Sequence, residues 1–165
     1  MNNKKNKNKK INRKIITIAL IIIVVVALVK VITNKKITLT DNNKVITLNY
    51  SSIYFKRGEY TETKSNLKSK NEEINVEIKE NELESYNILR DYCIMAYKGE
   101  NIEYNKVPYF YYYDKINKQY VVITKVDEQK ILKIDIRPTD NSKKDVEETF
   151  NQNKVQKILK NIKIK

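Results

Sequence analysis

The stretch that decides the fold is "VPYFYYYDKINKQYVVI", Val107 to Ile123. It contains five consecutive aromatic residues in a chain with no Trp and only three Phe. On a β-strand, one face of this run carries Tyr109, Tyr111 and Tyr113, and the other carries Phe110 and Tyr112. A strand that is aromatic on both faces, followed by a short turn and a second apolar strand, predicts the centre of a sheet covered on both sides.

The flanking segments predict the remaining elements. Alternation of apolar and polar residues indicates strands, and polar residues three positions before an acid or amide indicate helix starts. The predicted elements are a hairpin over 37–40 and 45–50, a loop over 57–71, a strand over 74–78, a helix from Asn81 to a C′ residue at Gly99, strands over 102–113, 119–126 and 131–137, and two short helices starting at Ser142 and Asn153 with a break near 151–153. The predicted core face of the longer helix carries Tyr86, Leu89, Tyr92, Cys93 and Ala96.

This order of elements predicts an α+β fold, an antiparallel sheet with helices on both faces. Over residues 37–163 the succession of hairpin, strand, helix, three-stranded meander and closing helix resembles the PsbP-like fold, an α/β/α sandwich. The resemblance rests on element order, and no motif transfers a functional residue. It implies an accessory or assembly role at a membrane complex, since some members of that family are accessory factors and others are membrane-tethered bacterial domains.

A hydrophobic run near the N-terminus predicts a transmembrane helix over residues 15–33. These 19 residues contain one charge, Lys30, and a helix of that length spans ~28 Å, close to the ~30 Å hydrocarbon core. No small-x-small site follows the run, which favours an uncleaved signal-anchor over a cleaved signal peptide. Seven cations precede the run, against three at or just after its end, Lys30, Lys35 and Lys36. The positive-inside rule therefore predicts a basic cytoplasmic tail, 1–14, and an extracytoplasmic domain, 37–165.

The basic composition does not indicate nucleic-acid binding. The net charge is +13, but ten of the 33 basic residues lie before position 37. The rest of the chain has 23 basic and 20 acidic residues, and phosphate binding needs cations clustered on a folded surface. We therefore expect no nucleic-acid partner. The predicted partners are the lipid bilayer, through 15–33, and an unidentified protein or component of the cell envelope.

The composition also argues against an enzyme. The chain has no His, which excludes Ser-His and Cys-His nucleophile pairs, and two Gly, too few for a phosphate-binding loop. The lone Cys93 is predicted to be a buried small hydrophobe. The acidic residues of 72–84 are interpreted as solvated surface rather than a carboxylate pair. A Ser-Lys arrangement is not excluded by the sequence, but no pattern marks one. We predict no catalytic residue, metal site or cofactor.

The tyrosines leave two interpretations open. They form the core and rim of the sheet, or one row is exposed and binds a protein partner or cell-wall glycan. The candidate binding residues are Tyr109, Tyr111 and Tyr113, joined by Tyr54 and Tyr60 from the preceding segment. The first hypothesis is a single-pass, non-catalytic extracytoplasmic domain of a bacterial membrane assembly. The alternative is a glycan-binding module. An exposed apolar patch without a deep cleft favours the former, and parallel Tyr rings in a groove favour the latter.

Overall fold

The structure, a computed structural model, describes the backbone of residues 2–165 and the side chains of residues 15–165. The chain divides into two compact units, one ending at Asn34 and the other covering Lys35–Lys165. The side chains of the predicted basic tail, 1–14, lie outside the described residues.

The first unit is a single helix, α1 (Asn2–Thr33). Its segment Ile15–Thr33 has a mean hydropathy of 3.3 over its most apolar window and no buried residue. By length and composition this is a helix able to cross a membrane. The predicted hydrophobic helix over 15–33 is confirmed.

The second unit is α+β, as predicted, with antiparallel strand pairing. Its strands are β1 (Asn34–Asp41), β2 (Lys44–Ser51), β3 (Lys56–Tyr60), β4 (Lys64–Lys68), β5 (Glu72–Glu80), β6 (Glu100–Tyr104), β7 (Val107–Asp114), β8 (Gln119–Lys125), β9 (Lys130–Pro138) and β10 (Lys163–Ile164). Its helices are α2 (Tyr86–Tyr97), α3 (Val146–Phe150) and α4 (Asn153–Lys160). The larger sheet has the order β3-β4-β5-β9-β8-β7-β6, and the smaller has the order β1-β2-β10.

The main core lies on one face of the larger sheet. On this face Ile74, Val76 and Ile78 of β5 stand opposite Ile136, Ile134 and Leu132 of β9. The smaller sheet and α3–α4 contribute to the same cluster, with Leu39, Leu48, Phe150, Val155 and Leu159 among its members. Strict alternation in β5 and β9 places every second residue here, so the pattern that predicted these strands also fixes which residues are buried.

The opposite face is half apolar and half polar. A second core cluster, with Cys93 of α2 packed near Phe110, Val121 and Ile123, covers the half formed by β7 and β8. The other half is a grid of polar side chains, here called the polar ladder, in which cross-strand neighbours alternate in charge. It consists of Lys64, Asn66 and Lys68 on β4, Glu73, Asn75 and Glu77 on β5, and Lys133, Asp135 and Arg137 on β9.

The predicted loop over 57–71 is wrong, because this segment forms the hairpin β3–β4 at one edge of the larger sheet. All five residues of β3 are exposed, and β4 buries only Ser65 and Leu67. So little burial leaves almost no apolar alternation in the sequence.

The predicted start of the longer helix is also wrong. Asn81 makes a local turn instead, because its side-chain oxygen accepts a hydrogen bond from the Leu83 amide at 3.3 Å. The N-cap is Ser85, whose hydroxyl accepts from the Ile88 amide. Of the predicted core face, Tyr92 and Ala96 are exposed.

Gly99 follows α2 as predicted, but the left-handed residue that ends the helix is Lys98, with φ 53°. Gly99 is needed for a different reason. A Cβ at this position would lie 2.9 Å from the Tyr111 carbonyl oxygen, so only glycine permits β6 to leave the helix this close to β7.

The remaining predictions hold with local corrections. The predicted strand over 102–113 is divided into β6 and β7 by a two-residue turn, Asn105–Lys106, with φ values of 52° and 65°. This is the backbone of a tight hairpin turn. The break between the two C-terminal helices is confirmed, but the N-caps are Asp145 and Gln152 rather than Ser142 and Asn153.

Candidate functional site: an aromatic surface around α2 and the end of β7

Tyr109 is buried and is not part of an exposed row of tyrosines. Its side chain is 1% exposed and lies in the main core, where its ring packs 5.6 Å from that of Tyr104. Its hydroxyl is buried without a hydrogen-bond partner among the described residues. For this residue the structure corresponds to the core interpretation, not to an exposed row.

Tyr111 and Tyr113 are half-buried and belong to a ring cluster at the end of β7. Phe150 of α3 stacks on Tyr111 and on Tyr120, with ring centroids 5.1 and 4.4 Å apart. Tyr113 packs 5.6 Å from Tyr120. The Tyr111 hydroxyl donates a 2.6 Å hydrogen bond to the Glu100 carboxylate. This cluster is therefore the rim of the core, with its polar atoms directed outward.

Tyr54 and Tyr60 are exposed, but their ring and hydrogen-bond contacts are with other parts of the domain. The Arg57 guanidinium lies 4.2 Å from the centroid of the Tyr60 ring, whose hydroxyl donates to the Thr38 carbonyl at 2.7 Å. The Lys154 ammonium lies 5.9 Å from the Tyr54 ring. The structure thus brings Tyr111 and Tyr113 together and does not join Tyr54 or Tyr60 to them through these contacts.

A groove of about 330 Å³, here called the aromatic groove, opens beside the end of β7. Six aromatic rings line it, together with two carboxylates, two lysines and an amide. The lining residues are Tyr97, Tyr111, Tyr112, Tyr113, Tyr120 and Phe150, with Glu100, Glu147, Lys98, Lys115 and Asn151. Tyr97 from α2 and Tyr112 from β7 stack face to face at 4.7 Å with an interplanar angle of 17°.

The outward side of α2 carries an apolar stripe that the sequence analysis missed. Ile88, Tyr92 and Met95 are 48, 52 and 80% exposed, and their i, i+4, i+7 spacing places them on one line along the helix. The Tyr92 ring lies edge-on to Tyr97 at 6.2 Å. Because Tyr97 also stacks on Tyr112, the stripe continues into the aromatic groove. We call the five residues Ile88, Tyr92, Met95, Tyr97 and Tyr112 together the aromatic surface.

The electrostatics of the groove are set by carboxylates. Partial burial, followed by the negative charges of Glu147 and Glu100, raises the pKa of Tyr120. Burial, with the hydrogen bond to Glu100, likewise raises the pKa of Tyr111. Neither Glu100 nor Glu147 forms an ion pair with a described side chain. The hydroxyls of Tyr111 and Tyr120 therefore stay protonated, and that of Tyr111 donates to Glu100. Lys98 and Lys115 also line the groove.

A buried ionic cluster is the second arrangement that the sequence did not predict. The Glu72 carboxylate is fully buried and lies 2.5 Å from the Lys154 ammonium and 3.8 Å from that of Lys144. It also accepts a hydrogen bond from the Ser69 hydroxyl. The cluster joins the β4–β5 turn to the C-terminal helices, and its burial fits a structural contact rather than a reaction centre.

The thiol of Cys93 is buried. Burial raises the pKa of Cys93 to about 11, which keeps the thiol protonated and unreactive at neutral pH. Within residues 15–165, His, Cys, Asp and Glu form no group of three that could hold a metal ion. Searches with this chain matched no model of a known family, no curated protein and no solved structure.

Proposed function

We propose that this protein is a single-pass membrane-anchored domain that binds another protein through the aromatic surface, as a non-catalytic accessory subunit of a membrane or cell-envelope assembly. The observation that carries the proposal is the continuous, exposed apolar stripe of α2, which runs into the aromatic groove. The other half of the same sheet face, the polar ladder, is instead occupied by ion-paired side chains. Exposed apolar patches of this kind mark interaction sites, and Tyr and Met are enriched in protein interfaces.

The anchor is Ile15–Thr33, with the basic tail in the cytoplasm and residues after ~34 outside. Its length and hydropathy support the span, and the charge difference across it supports the orientation. Helices on both faces of the larger sheet belong to the same proposal. The PsbP-like resemblance implies that arrangement. The two separate core clusters, one around α2 and one that includes α3 and α4, support it.

Cysteine labelling in intact cells tests the topology. Ile116, 91% exposed in the β7–β8 turn, is replaced by Cys in one variant, and Asn6 in another. A membrane-impermeant maleimide should label the Cys at position 116 in intact cells and the Cys at position 6 only after permeabilisation. Native Cys93 gives little background because it is buried. The reverse labelling pattern, or recovery of the chain in the soluble fraction, would contradict the anchor or its orientation.

Site-specific photo-cross-linking tests the interaction surface. A photoreactive amino acid is placed at Met95 in one variant and, as a control, at the exposed Lys68 of the polar ladder in another. In cells that make the protein, the variant at position 95 should give a discrete cross-linked band, and Tyr92→Asp in the same chain should abolish it. Equal cross-linking from both positions would show that the aromatic surface has no special role.

A second candidate function, glycan binding, is supported by the stacked pair Tyr97–Tyr112 at the groove. Aromatic faces next to carboxylates and an amide suit sugar rings with their hydroxyl groups. This function predicts sedimentation of the full chain with purified cell wall and loss of sedimentation in Tyr97→Ala. Sedimentation without cross-linking from position 95 would favour glycan binding over the protein partner.

A further inference from the structure

The strand β7 has a free backbone edge inside the aromatic groove. The register of β6 with β7 begins at the pair Glu100–Tyr111, whereas β8 pairs with β7 as far as Asp114. Within residues 2–165, Tyr112–Asp114 therefore have a strand neighbour on one side only. At ~3.4 Å per residue this edge is about 10 Å long.

The two outermost strands of the larger sheet, β3 and β6, carry charged side chains, and in β6 these are the exposed Glu100 and Glu103. In β3, Lys56, Arg57 and Glu59 are exposed, and the register is irregular between Arg57 and Tyr60. Charges and irregularities of this kind block strand addition. The free edge of β7 has two aromatic residues, Tyr112 and Tyr113, and one charged residue, Asp114, whose carboxylate is engaged by hydrogen bonds within the β7–β8 turn. The backbone groups at Tyr112 and Tyr113 therefore remain available to an incoming chain.

The groove also supplies selective contacts for side chains of an added strand. Tyr112 and Tyr97 lie on the α2 side of the sheet, and Tyr113 and Tyr120 lie on the side of the main core. Successive side chains of an added strand would alternate between these two sides. On the second side, tyrosine rings stand next to Glu100 and Glu147. Lys98 and Lys115 also line the groove, but among the described side chains neither lies within ion-pair distance of these carboxylates. Rings beside such carboxylates can recognise an ammonium or guanidinium group.

We propose that the groove binds an extended peptide segment of the protein partner, which adds as a strand to the free edge of β7 and places a lysine or arginine beside Tyr113, Tyr120, Glu100 and Glu147. This mode of recognition combines main-chain hydrogen bonds with side-chain pockets. The inference rests on the proposed function, since it names the chemistry of the partner at the groove end of the aromatic surface.

A peptide library tests the proposal directly. The full chain, reconstituted in lipid nanodiscs, is incubated with bead-bound random octapeptides. Selected peptides should carry a Lys or Arg at one fixed position. The free edge has three residues and so pairs with about three residues of the peptide. Methylation of backbone nitrogens should therefore weaken binding at least tenfold at one position, or at two positions two residues apart, and by less than twofold at the residue next to it, because alternate N–H groups of a strand point toward its partner.

Two paired variants test the charged contact. Glu100→Gln together with Glu147→Gln should weaken binding of the selected peptides at least fivefold, while the control Glu59→Gln with Glu62→Gln, at exposed acids of the opposite edge, should not. Selected peptides that tolerate methylation everywhere, or that ignore the Glu100 and Glu147 changes, would overturn strand addition. So would a library that yields no binder.

The remaining outcomes separate this inference from its premise. If a soluble chito-oligosaccharide binds the groove and no peptide does, the groove is a glycan site and strand addition is wrong. If photo-cross-linking from position 95 succeeds and no octapeptide binds, the protein-interaction function stands and the strand mechanism fails. If cross-linking from position 95 fails while peptides bind with the alternating pattern, the groove mechanism stands and the role of the α2 stripe fails.

Discussion

Replacing Glu72 by Gln should destabilise the domain by about 3 kcal/mol. Breaking a buried ion pair typically costs 3–5 kcal/mol because an uncompensated charge remains inside. Here the remaining charges belong to Lys154 and Lys144, whose side chains are 22 and 32% exposed and can turn toward water, so the lower end of that range applies. The loss consists of the charge interaction with Lys154, while the amide oxygen of Gln can still accept the hydrogen bond from Ser69, more weakly than a carboxylate does.

A double-mutant cycle isolates this contact. Lys154→Met should lower the free energy of unfolding by about 2 kcal/mol, since the carboxylate still has the hydrogen bond from Ser69 and the nearby charge of Lys144. The loss in the double variant should be at least ~1 kcal/mol smaller than the sum of the losses in the two single variants. Urea unfolding of the full chain in detergent micelles, followed by tyrosine fluorescence, measures each free energy. The control is Glu62→Gln, at an exposed acid. If the losses of unfolding free energy in the two single variants are additive, or if Glu72→Gln loses less than ~0.5 kcal/mol, the contact between Glu72 and Lys154 does not stabilise the domain as argued.

Three further predictions concern single positions. Burial raises the pKa of Asp135 above its usual 3.8, so the native state holds this proton more tightly than the unfolded state does. Stability therefore falls as pH rises through the window above ~3.8. Asp135→Asn should increase the free energy of unfolding by about 1 kcal/mol at pH 7, seen as a higher unfolding temperature, and should change it little at pH 3.5. Gly99→Ala should cost about 1–3 kcal/mol in urea unfolding, because the Tyr111 carbonyl that faces the new methyl group is backbone, and Gly58→Ala should cost less because its nearest contact is a side chain. Cys93 should react with a maleimide much more slowly in the native chain than in urea, since it is buried; equal rates would contradict the packing of α2.

Strands with one apolar face could be predicted from the sequence, and strands without one could not. The alternation is clear in β5 and over residues 132–137 of β9 because alternate residues enter the main core, whereas Ile131 is buried on the opposite face. The hairpin β3–β4 buries only two of its residues, so its strands are held by backbone pairing that leaves no periodic signal. The same limit explains why the number of strands was underestimated at that edge of the larger sheet.

The packing side of α2 was predicted only in part, with Tyr86, Leu89 and Cys93 on the sheet as expected and Tyr92 and Ala96 exposed, because the helix has two apolar lines. Leu89 and Cys93 lie on the side that contacts the sheet, and Ile88, Tyr92 and Met95 lie on the exposed side. Hydrophobic spacing alone does not distinguish a line that packs inside the domain from one that is left for a partner. The aromatic surface therefore became visible only when the fold showed which line the sheet covers.

The distribution of charge argues that a protein partner would dock at the α2 end of the domain rather than on the polar ladder. In the ladder, Lys64 pairs with Glu77 at 2.6 Å and Arg137 with Glu73 at 2.8 Å. A partner covering it would have to remove water from charges that already neutralise each other, which costs free energy without supplying new contacts. The aromatic surface presents the opposite situation. Burial of its apolar groups is favourable by ~25 cal/mol for each Å² removed from water. The adjacent carboxylates, Glu100 and Glu147, form no ion pair among the described side chains, although two lysines also line the groove. Favourable burial and carboxylates free to pair with a partner therefore coincide at one end of the domain.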